Sequence, residues 1–183
     1  MTRPKGRRLA RRFYTRDALE VAPDLLDKVL VVGECAGRIV EVEAYRADDP
    51  ASHSFRGRTT RNATMFGPGG LLYVYFTYGM HYCANVVTGT EHDGQAVLLR
   101  AVTPCRGIET MRARRGGHRS LADGPGKLCQ AFGIDRTYDG TDLCTSPDVL
   151  ILDDGTPPPA DPLVSGRVGI RHAVAHPWRW RNP

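Results

Sequence analysis

Aromatic and β-branched residues alternate along the stretch 71–87, and such residues are typical of a pleated, half-buried surface. The pattern predicts two strands, 71–76 and 81–87. We expect a tight turn at Gly79 between them, because glycine takes the positive φ that a hairpin turn needs. The alternation directs Tyr73 and Tyr75 to one face and Val74 and Phe76 to the other.

The tip of this predicted hairpin carries two large side chains, Tyr78 and Met80. Burial is hardest at a tip, and an exposed aromatic ring there has the shape of a wedge. The simpler interpretation is a core hairpin whose tyrosines turn their hydroxyls to water. The pattern alone leaves both interpretations open.

A second alternating stretch covers residues 37–45 and predicts another strand. It directs Val40 and Val42 to one face and Ile39, Glu41 and Glu43 to the other. Either the two carboxylates are solvated charges on a wet face, or the strand ends in a pocket. In the second case Glu43, next to Tyr45, is partly buried and acts as a general base on water.

The remaining pattern predicts further strands and short helices. They are a helix that Thr15 caps and that continues through Leu19, Leu25 and Leu26, strands at 29–32, 96–102, 149–152 and 167–171, and helices at 108–115 and from Gly124 onward. Arg100 stands inside the apolar strand 96–102, where an unpaired charge is costly. We therefore expect Arg100 to pair with Glu43, with Glu41 or with a bound phosphate.

The composition of this 183-residue chain is that of one ordinary globular domain, with 41% hydrophobic and 25% charged residues. The formal charge of +5 and the pI of about 9.1 favour an anionic partner. The five cysteines include no CxxC pair, which argues against a zinc ribbon and a disulfide framework. We expect reduced thiols, a cytoplasmic protein and no membrane segment.

Positions 1–16 contain seven basic residues and no acidic residue. The basic residues are Arg3, Lys5, Arg7, Arg8, Arg11, Arg12 and Arg16. Either this stretch is a disordered basic arm, or Leu9, Phe13 and Tyr14 tie its end to the domain while the charges face a polyanion. We expect a basic arm over 1–8, with its order left open, and a single domain over 9–183.

The irregular stretch 46–70 is long for a compact domain, and such loops are usually functional or disordered. Its arginines, Arg56, Arg58 and Arg61, stand among hydroxyl side chains that suit phosphate contacts. A lone loop histidine such as His53 is more often a surface residue than a ligand. Because no second metal ligand stands at a suitable spacing, we expect no metal site.

A series of short motifs runs over nearly the whole chain. They are Gly37-Arg-Ile-Val-Glu-Val-Glu-Ala-Tyr45, Ser52-His-Ser54, Arg61-Asn62 with Met65-Phe66, Leu72-Tyr-Val-Tyr75, Tyr78-Gly-Met80, Asn85, Val97-Leu-Leu-Arg-Ala101, Gly126-Lys-Leu-Cys-Gln130 and Arg167-Val-Gly169. Each motif is weak alone. In this order and at these spacings the series resembles the alkyladenine (3-methyladenine) DNA glycosylase family of the human type.

The resemblance implies an α+β fold: a single domain with a curved, mainly antiparallel sheet flanked by helices and a protruding β-hairpin that reaches the minor groove. It implies excision of alkylated purines, such as 3-methyladenine and 7-methylguanine, from double-stranded DNA by hydrolysis of the N-glycosidic bond. Deaminated or etheno-adducted purines would be further substrates. The product would be an abasic site without strand cleavage, formed by a monomer that needs no cofactor.

The resemblance also assigns roles to individual residues. In the catalytic centre, Glu43 would activate the attacking water and Arg100 would organise Glu43, the water and a nearby phosphate. Tyr45, His53 and Tyr75 would wall the base pocket, and Asn85 would disfavour normal guanine. On the DNA side, Tyr78 would enter the duplex beside Met80 and His81, and Arg61 and Lys127 would contact the backbone. His81 stands where mammalian members carry an aromatic hydroxyl, so the groove contact differs there.

Two other functions fit part of the pattern. A non-catalytic nucleic-acid-binding module also combines aromatic residues on a sheet with basic clusters. A carbohydrate hydrolase would use Glu41 and Glu43, which lie about 7 Å apart on one strand face, yet neighbours on one strand cannot easily flank a sugar from opposite sides. A Glu43→Gln variant separates a glycosylase from a binding module, because only the glycosylase would lose base release.

Overall fold

The computed structural model describes residues 4–77 and 79–183, and the predicted wedge Tyr78 lies outside these described residues. The described strands and helices are β1 (Arg7–Arg8), α1 (Arg11–Tyr14), α2 (Ala18–Leu25), β2 (Val29–Val32), β3 (Cys35–Tyr45), β4 (Leu72–Thr77), β5 (His81–Thr88), β6 (Gln95–Arg106), α3 (Ile108–Arg114), α4 (Pro125–Phe132), β7 (Val149–Asp153), β8 (Leu163–Ser165) and β9 (Arg179–Arg181). Short 3-10 helices cover Ala63–Phe66 and Arg136–Tyr138.

One curved sheet contains all of these strands, in the order β1-β7-β2-β3-β6-β5-β4, with β8 and β9 off this path. Every strand pair in it is antiparallel. β3 and β6 are the long central strands, and β9 pairs with the stretch of β3 from Glu41 to Glu43. The α+β fold with a curved antiparallel sheet and flanking helices is therefore confirmed.

The hairpin of β4 and β5 is also confirmed, with bounds that differ from the prediction by one residue. Its two faces contact different apolar clusters, as the alternation predicts. Val74 packs into the main core, whereas Tyr73 belongs to a smaller cluster that Tyr45 and Tyr75 also touch. The hairpin therefore separates the main core from an aromatic face.

The main core lies between the sheet and the helices α2 and α4. Large side chains from the sheet and from both helices are fully buried there, including Leu25, Leu30, Leu99, Leu128 and Phe132. The predicted strand at 29–32 and the helices at 108–115 and after Gly124 are confirmed as β2, α3 and α4. Among the described residues, no helix combines the length and apolarity that crossing a membrane requires.

The predicted start of the first long helix is wrong. The N-cap of α2 is Asp17, whose side chain accepts a hydrogen bond from the backbone N–H of Leu19, and Thr15 instead follows the short helix α1. A carboxylate suits this position because it also meets the positive end of the helix dipole. Pro23 lies in the last turns of α2, close to where the helix ends.

The predicted alternation along β3 is only partly correct. Irregularities in the pairing with β6 occur at Ile39/Glu41 and at Glu41/Val42. Because each bulge changes which side chains share a face, Ile39 and Val42 are both buried in the core, whereas Val40 is half-buried. The predicted opposition of Ile39 and Val42 is therefore wrong.

The predicted strand at 167–171 is also wrong, because these residues form an irregular loop. The strands near the C-terminus are β8 and β9, which the pattern did not predict. At the N-terminus, β1 pairs with β7, and Leu9 and Tyr14 are buried. The first described residues thus pack on the edge of the sheet that lies farthest from the hairpin.

Candidate active site

A cavity of about 440 Å³ opens beside the hairpin, at the end of β3. Side chains and backbone from separate parts of the chain line it: Tyr45 at the end of β3, Ala51 and His53 in the loop after it, Tyr75 and Asn85 from the hairpin, Arg100 from β6, and the loop from Val168 to His172. This volume lies in the range of small-molecule binding pockets. The structure therefore brings together all of the predicted pocket residues.

The aromatic wall of the cavity is held together by direct ring contacts. The centroids of the His53 and Tyr75 rings are 4.4 Å apart, and those of Tyr73 and Tyr75 are 5.5 Å apart. His53 Nδ1 lies 3.0 Å from the hydroxyl of Tyr73. Tyr73, which the sequence did not single out as a site residue, also lines the cavity and contacts both of the other rings.

The protonation of this wall follows from its burial. Burial raises the pKa of Tyr73 to about 12 and raises that of Tyr75 further, so both phenols stay neutral. Burial, and then the positive charge of Arg61, lower the pKa of His53, so its imidazole is neutral at pH 7. A ligand stacked on this wall would therefore meet neutral, electron-rich rings.

Glu43 lies directly behind the cavity, with its side chain fully buried. The backbone N–H of Val168 donates to Oε1 over 2.8 Å, and the hydroxyl of Tyr45 donates to Oε2 over 2.9 Å. The guanidinium of Arg100 lies 3.3 Å from Oε1. Glu43 itself does not line the cavity, but these three residues, which do, hold its carboxylate.

Arg100 is shared by both glutamates of β3, which confirms the expectation that its charge is paired within the protein. Its Nε donates to Glu41 Oε1 over 2.7 Å, and Arg179 Nε donates to the same oxygen over 2.7 Å. Burial by itself would lower the pKa of Arg100, but Glu43 and Glu41 outweigh it and hold that pKa above its ordinary value. The result is a compact network of two acids and two arginines.

Asn85 is buried in the wall, where its Nδ2 donates to the backbone carbonyl of Tyr73 over 3.1 Å. This bond fixes the plane of the amide. Asn85 therefore presents a rigid surface to whatever occupies the cavity.

The residues predicted to contact DNA lie at or near the hairpin. Met80 is 68% exposed, and His81 is exposed at the start of β5, where its ring packs against Gly126. Arg61 donates to the backbone carbonyl of Phe76 over 3.1 Å. Lys127, at the start of α4, pairs with Asp123 over 3.0 Å, so a phosphate would have to compete with that acid.

Besides Tyr73, two features of the site escaped the sequence analysis. One is the cavity-lining loop 168–172, because the pattern predicted a strand at 167–171 instead. The other is Asp49, which pairs with Arg167 behind Tyr45. Among the described residues, no group of three His, Cys, Asp or Glu side chains is suited to hold a metal ion.

Sequence comparisons with known proteins find a matching family and several similar chains. The family model described as methylpurine-DNA glycosylase (MPG) matches residues 12–183. Three similar proteins share the name "Putative 3-methyladenine DNA glycosylase". The protein of Burkholderia lata is 52% identical over 97% of this chain and 89% of its own length. The protein of Rhodopseudomonas palustris is 49% identical over 96% of this chain and 87% of its own length. That of Methanoculleus marisnigri is 51% identical over 92% of this chain and 91% of its own length.

Proposed function

Because the chain belongs to the methylpurine-DNA glycosylase family, we propose that it flips alkylated purines into the cavity and hydrolyses their N-glycosidic bond with a water that Glu43 activates. Family membership makes it a DNA-repair hydrolase that acts on N-glycosidic bonds. The observation that carries the proposed mechanism is the buried Glu43 carboxylate, held by three residues that line the cavity.

Recognition of the base would depend on stacking. A base inside a duplex is out of reach, so it must be flipped at a cost of a few kcal/mol. Alkylation at N3 or N7 gives a purine a positive charge, and stacking on rings such as Tyr45, Tyr75 and His53 would contribute about 1–3 kcal/mol per ring. The contacts between His53, Tyr73 and Tyr75 support this proposal because they hold the rings in place before the base arrives.

Hydrolysis would take place on the side of the cavity where Tyr45, Val168 and Arg100 contact Glu43. The water oxygen attacks C1′ of the sugar, its proton passes to Glu43, and the electrons of the C1′–N bond leave with the base. Arg100 and the N–H of Val168 would keep the carboxylate oriented, since both contact Oε1. The anionic carboxylate would also stabilise positive charge that develops on the sugar.

The leaving group explains why one carboxylate would be enough. A cationic alkylpurine becomes neutral when it departs, so its loss needs no general acid. Neutral purines, deaminated or etheno-adducted, would need a proton at this step, and we propose them as slower substrates. Among the described residues no lysine lines the cavity to act as a nucleophile, so we propose that the enzyme does not cleave the strand.

Contact with the duplex would come from the hairpin tip. We propose that Tyr78 fills the gap left by the flipped base, because a wedge that occupies the vacated stack lowers the cost of flipping. Met80 and His81 would lie in the groove beside it, and Arg61 and Lys127 would contact the backbone. We propose that a monomer does this, since residues of one chain line the whole cavity.

The test uses three duplexes, each with a single 7-methylguanine, hypoxanthine or ethenoadenine. Free base is assayed separately from strand breaks, for the wild type and for Glu43→Gln. We expect wild-type protein to release 7-methylguanine without breaks, and Glu43→Gln to bind the same duplex while releasing the base about 10²–10⁴-fold more slowly. Binding should weaken steeply with salt. Each phosphate contact contributes about −0.9 to the slope of the logarithm of the binding constant against the logarithm of the salt concentration.

The matched control is Glu109→Gln, which changes an exposed glutamate on α3. It should excise at the wild-type rate. Full activity of Glu43→Gln would refute the proposed role of the carboxylate. Release of none of the three bases by the wild type would refute the proposed substrates.

A further inference from the structure

Arg167 and Asp49 form a fully buried ion pair next to the cavity. Arg167 Nη2 donates to Asp49 Oδ1 over 3.0 Å, and Nη1 contacts Asp49 Oδ2 as well as the backbone carbonyl of Ala44, the latter over 3.0 Å. A buried charge of this kind is tolerated only when it is paired and hydrogen-bonded. The pair joins the loop after β3 to the loop that carries Val168.

The guanidinium of Arg167 lies against the ring of Tyr45. Its central carbon is 4.6 Å from the centroid of Tyr45 and 5.1 Å from a ring centroid of Trp178, so it is stacked between the two rings. Tyr45 lines the cavity, whereas the side chain of Arg167 has no exposed surface. The cation therefore covers one face of the Tyr45 ring, so a base stacked on this ring in the cavity would occupy the opposite face.

The position of Arg167 against the Tyr45 ring would affect a cationic base differently from a neutral one. A purine stacked on the cavity face of Tyr45 would have the guanidinium on the other side of the same ring, about 8 Å away if stacking distances are about 3.5–4 Å. For a cationic purine this places two like charges across one ring, whereas for a neutral purine it does not. The carboxylate of Asp49 cancels the charge of Arg167 at that position.

We propose that Asp49 makes the cavity selective for cationic over neutral purines, because it neutralises Arg167 behind the ring on which the base stacks. This inference rests on the proposed function, since it requires a purine in the cavity. Asp49 touches no reacting atom, so it is a specificity-determining residue. Glu43 and Arg100 also lie near the ring, but they are the same for every substrate compared.

The test compares two lesions in each variant. The single-turnover rate constant for excision of 7-methylguanine, which is cationic, is divided by the rate constant for hypoxanthine, which is neutral. Both are measured at the same pH and ionic strength. Asp49→Asn leaves the charge of Arg167 uncompensated, so this ratio should fall about tenfold, as expected for unit charges about 8 Å apart at an effective dielectric constant of about 20 with some solvent screening. The double variant Asp49→Asn/Arg167→Gln has neither charge, so its ratio should return to within about twofold of the wild type by the same reasoning.

A purely structural role would slow both lesions by the same factor, and an unchanged ratio in Asp49→Asn would overturn the proposal. So would a ratio that stays low in the double variant, because the cation would then not be the cause. If Asp49→Asn does not fold, Arg167→Gln replaces it: the ratio should rise above the wild-type value, and a ratio no higher than that value overturns the proposal.

The control is Asp153→Asn, which removes the acid of the Lys28–Asp153 pair on β7. Its ratio should equal that of the wild type, and a fall as large as that of Asp49→Asn would overturn the proposal. The proposed function fails separately. It fails if the wild type releases no 7-methylguanine or if Glu43→Gln is fully active, whereas the specificity proposal can fail while both of those results are as expected.

Discussion

Replacing Arg100 with methionine would remove the cation that both glutamates of β3 share. The side chain of Arg100 is 13% exposed, that of Glu41 is 16% exposed, and that of Glu43 is fully buried. Methionine is close in length to the arginine stem, so the change mainly removes charge and hydrogen bonds. Glu41 keeps Arg179, but Glu43 is left with Tyr45 and the backbone of Val168 as its donors.

The magnitude follows from this burial. Removing one partner of a buried pair costs about 3–5 kcal/mol, because the remaining charge is left uncompensated. For a domain of this size, each kcal/mol lowers Tm by about 2–4 °C, so we expect Tm to fall by about 6–20 °C. Excision should also slow, because Arg100 orients the carboxylate of Glu43.

The pH dependence of the loss provides a second test. Burial opposes ionisation of Glu41, but the hydrogen bonds from Arg179 and Arg100 outweigh it and hold the pKa of Glu41 below its ordinary value. A depressed carboxyl pKa contributes stability that is present above the unfolded value of about 4.3 and is lost as the pH falls below it. Arg100→Met keeps less of that contribution, so the stability difference from the wild type should narrow as the pH is lowered from 7 to about 3.5.

The assay is urea unfolding at several pH values, with Arg112→Met as the control. Arg112 pairs with Glu109 on the exposed surface of α3, and such pairs contribute about 0–1 kcal/mol. A loss below about 1 kcal/mol for Arg100→Met, equal to that of the control, would refute the reasoning. A stability difference that widens on acidification would contradict the role assigned to Glu41.

Two further predictions concern the cavity wall and the edge of the hairpin. Arg61→Gln should raise the pKa of His53 but leave it below its ordinary value, because burial is the larger cause of its lowering; an NMR titration of the ring measures this, and a return to the ordinary value would contradict it. Asp139→Ala should cost about 1–3 kcal/mol and expose the amide of Val74 to hydrogen exchange, because Asp139 accepts that N–H over 2.9 Å at the edge of β4. Normal protection of that amide in the variant would count against this role.

Local patterns predict well where neighbouring residues determine the structure. The hairpin follows from alternating aromatic and β-branched residues with a glycine at the turn, and Gly79 does take a positive φ of 67°. The cost of an unpaired buried charge predicted that Arg100 is paired, and Glu43 and Glu41, two of the three partners considered, both contact it. Membership of the family, to which the comparisons assign the chain, was also indicated by motif order alone.

The same local patterns failed where distant segments determine the structure. The bulges of β3 are irregularities in its pairing with β6, and a bulge has no periodic signal in either strand. The strand β9 is the three-residue stretch Arg179-Trp180-Arg181, which is too short to give a periodic signal, so its pairing with β3 and β8 makes it a strand.

The amino-acid sequence by itself determined the hairpin, the strand that carries Glu43 and the requirement that Arg100 be paired. The first two follow from the periodicity of neighbouring residues, and the third follows from the apolar residues on either side of Arg100. Only the tertiary structure decided what surrounds Glu43 and what lies behind Tyr45. Asp49 and Arg167 are 118 residues apart, and either could have paired with many other charged side chains of the chain. The folded backbone makes that choice, because it buries both charges together and joins them through two hydrogen bonds.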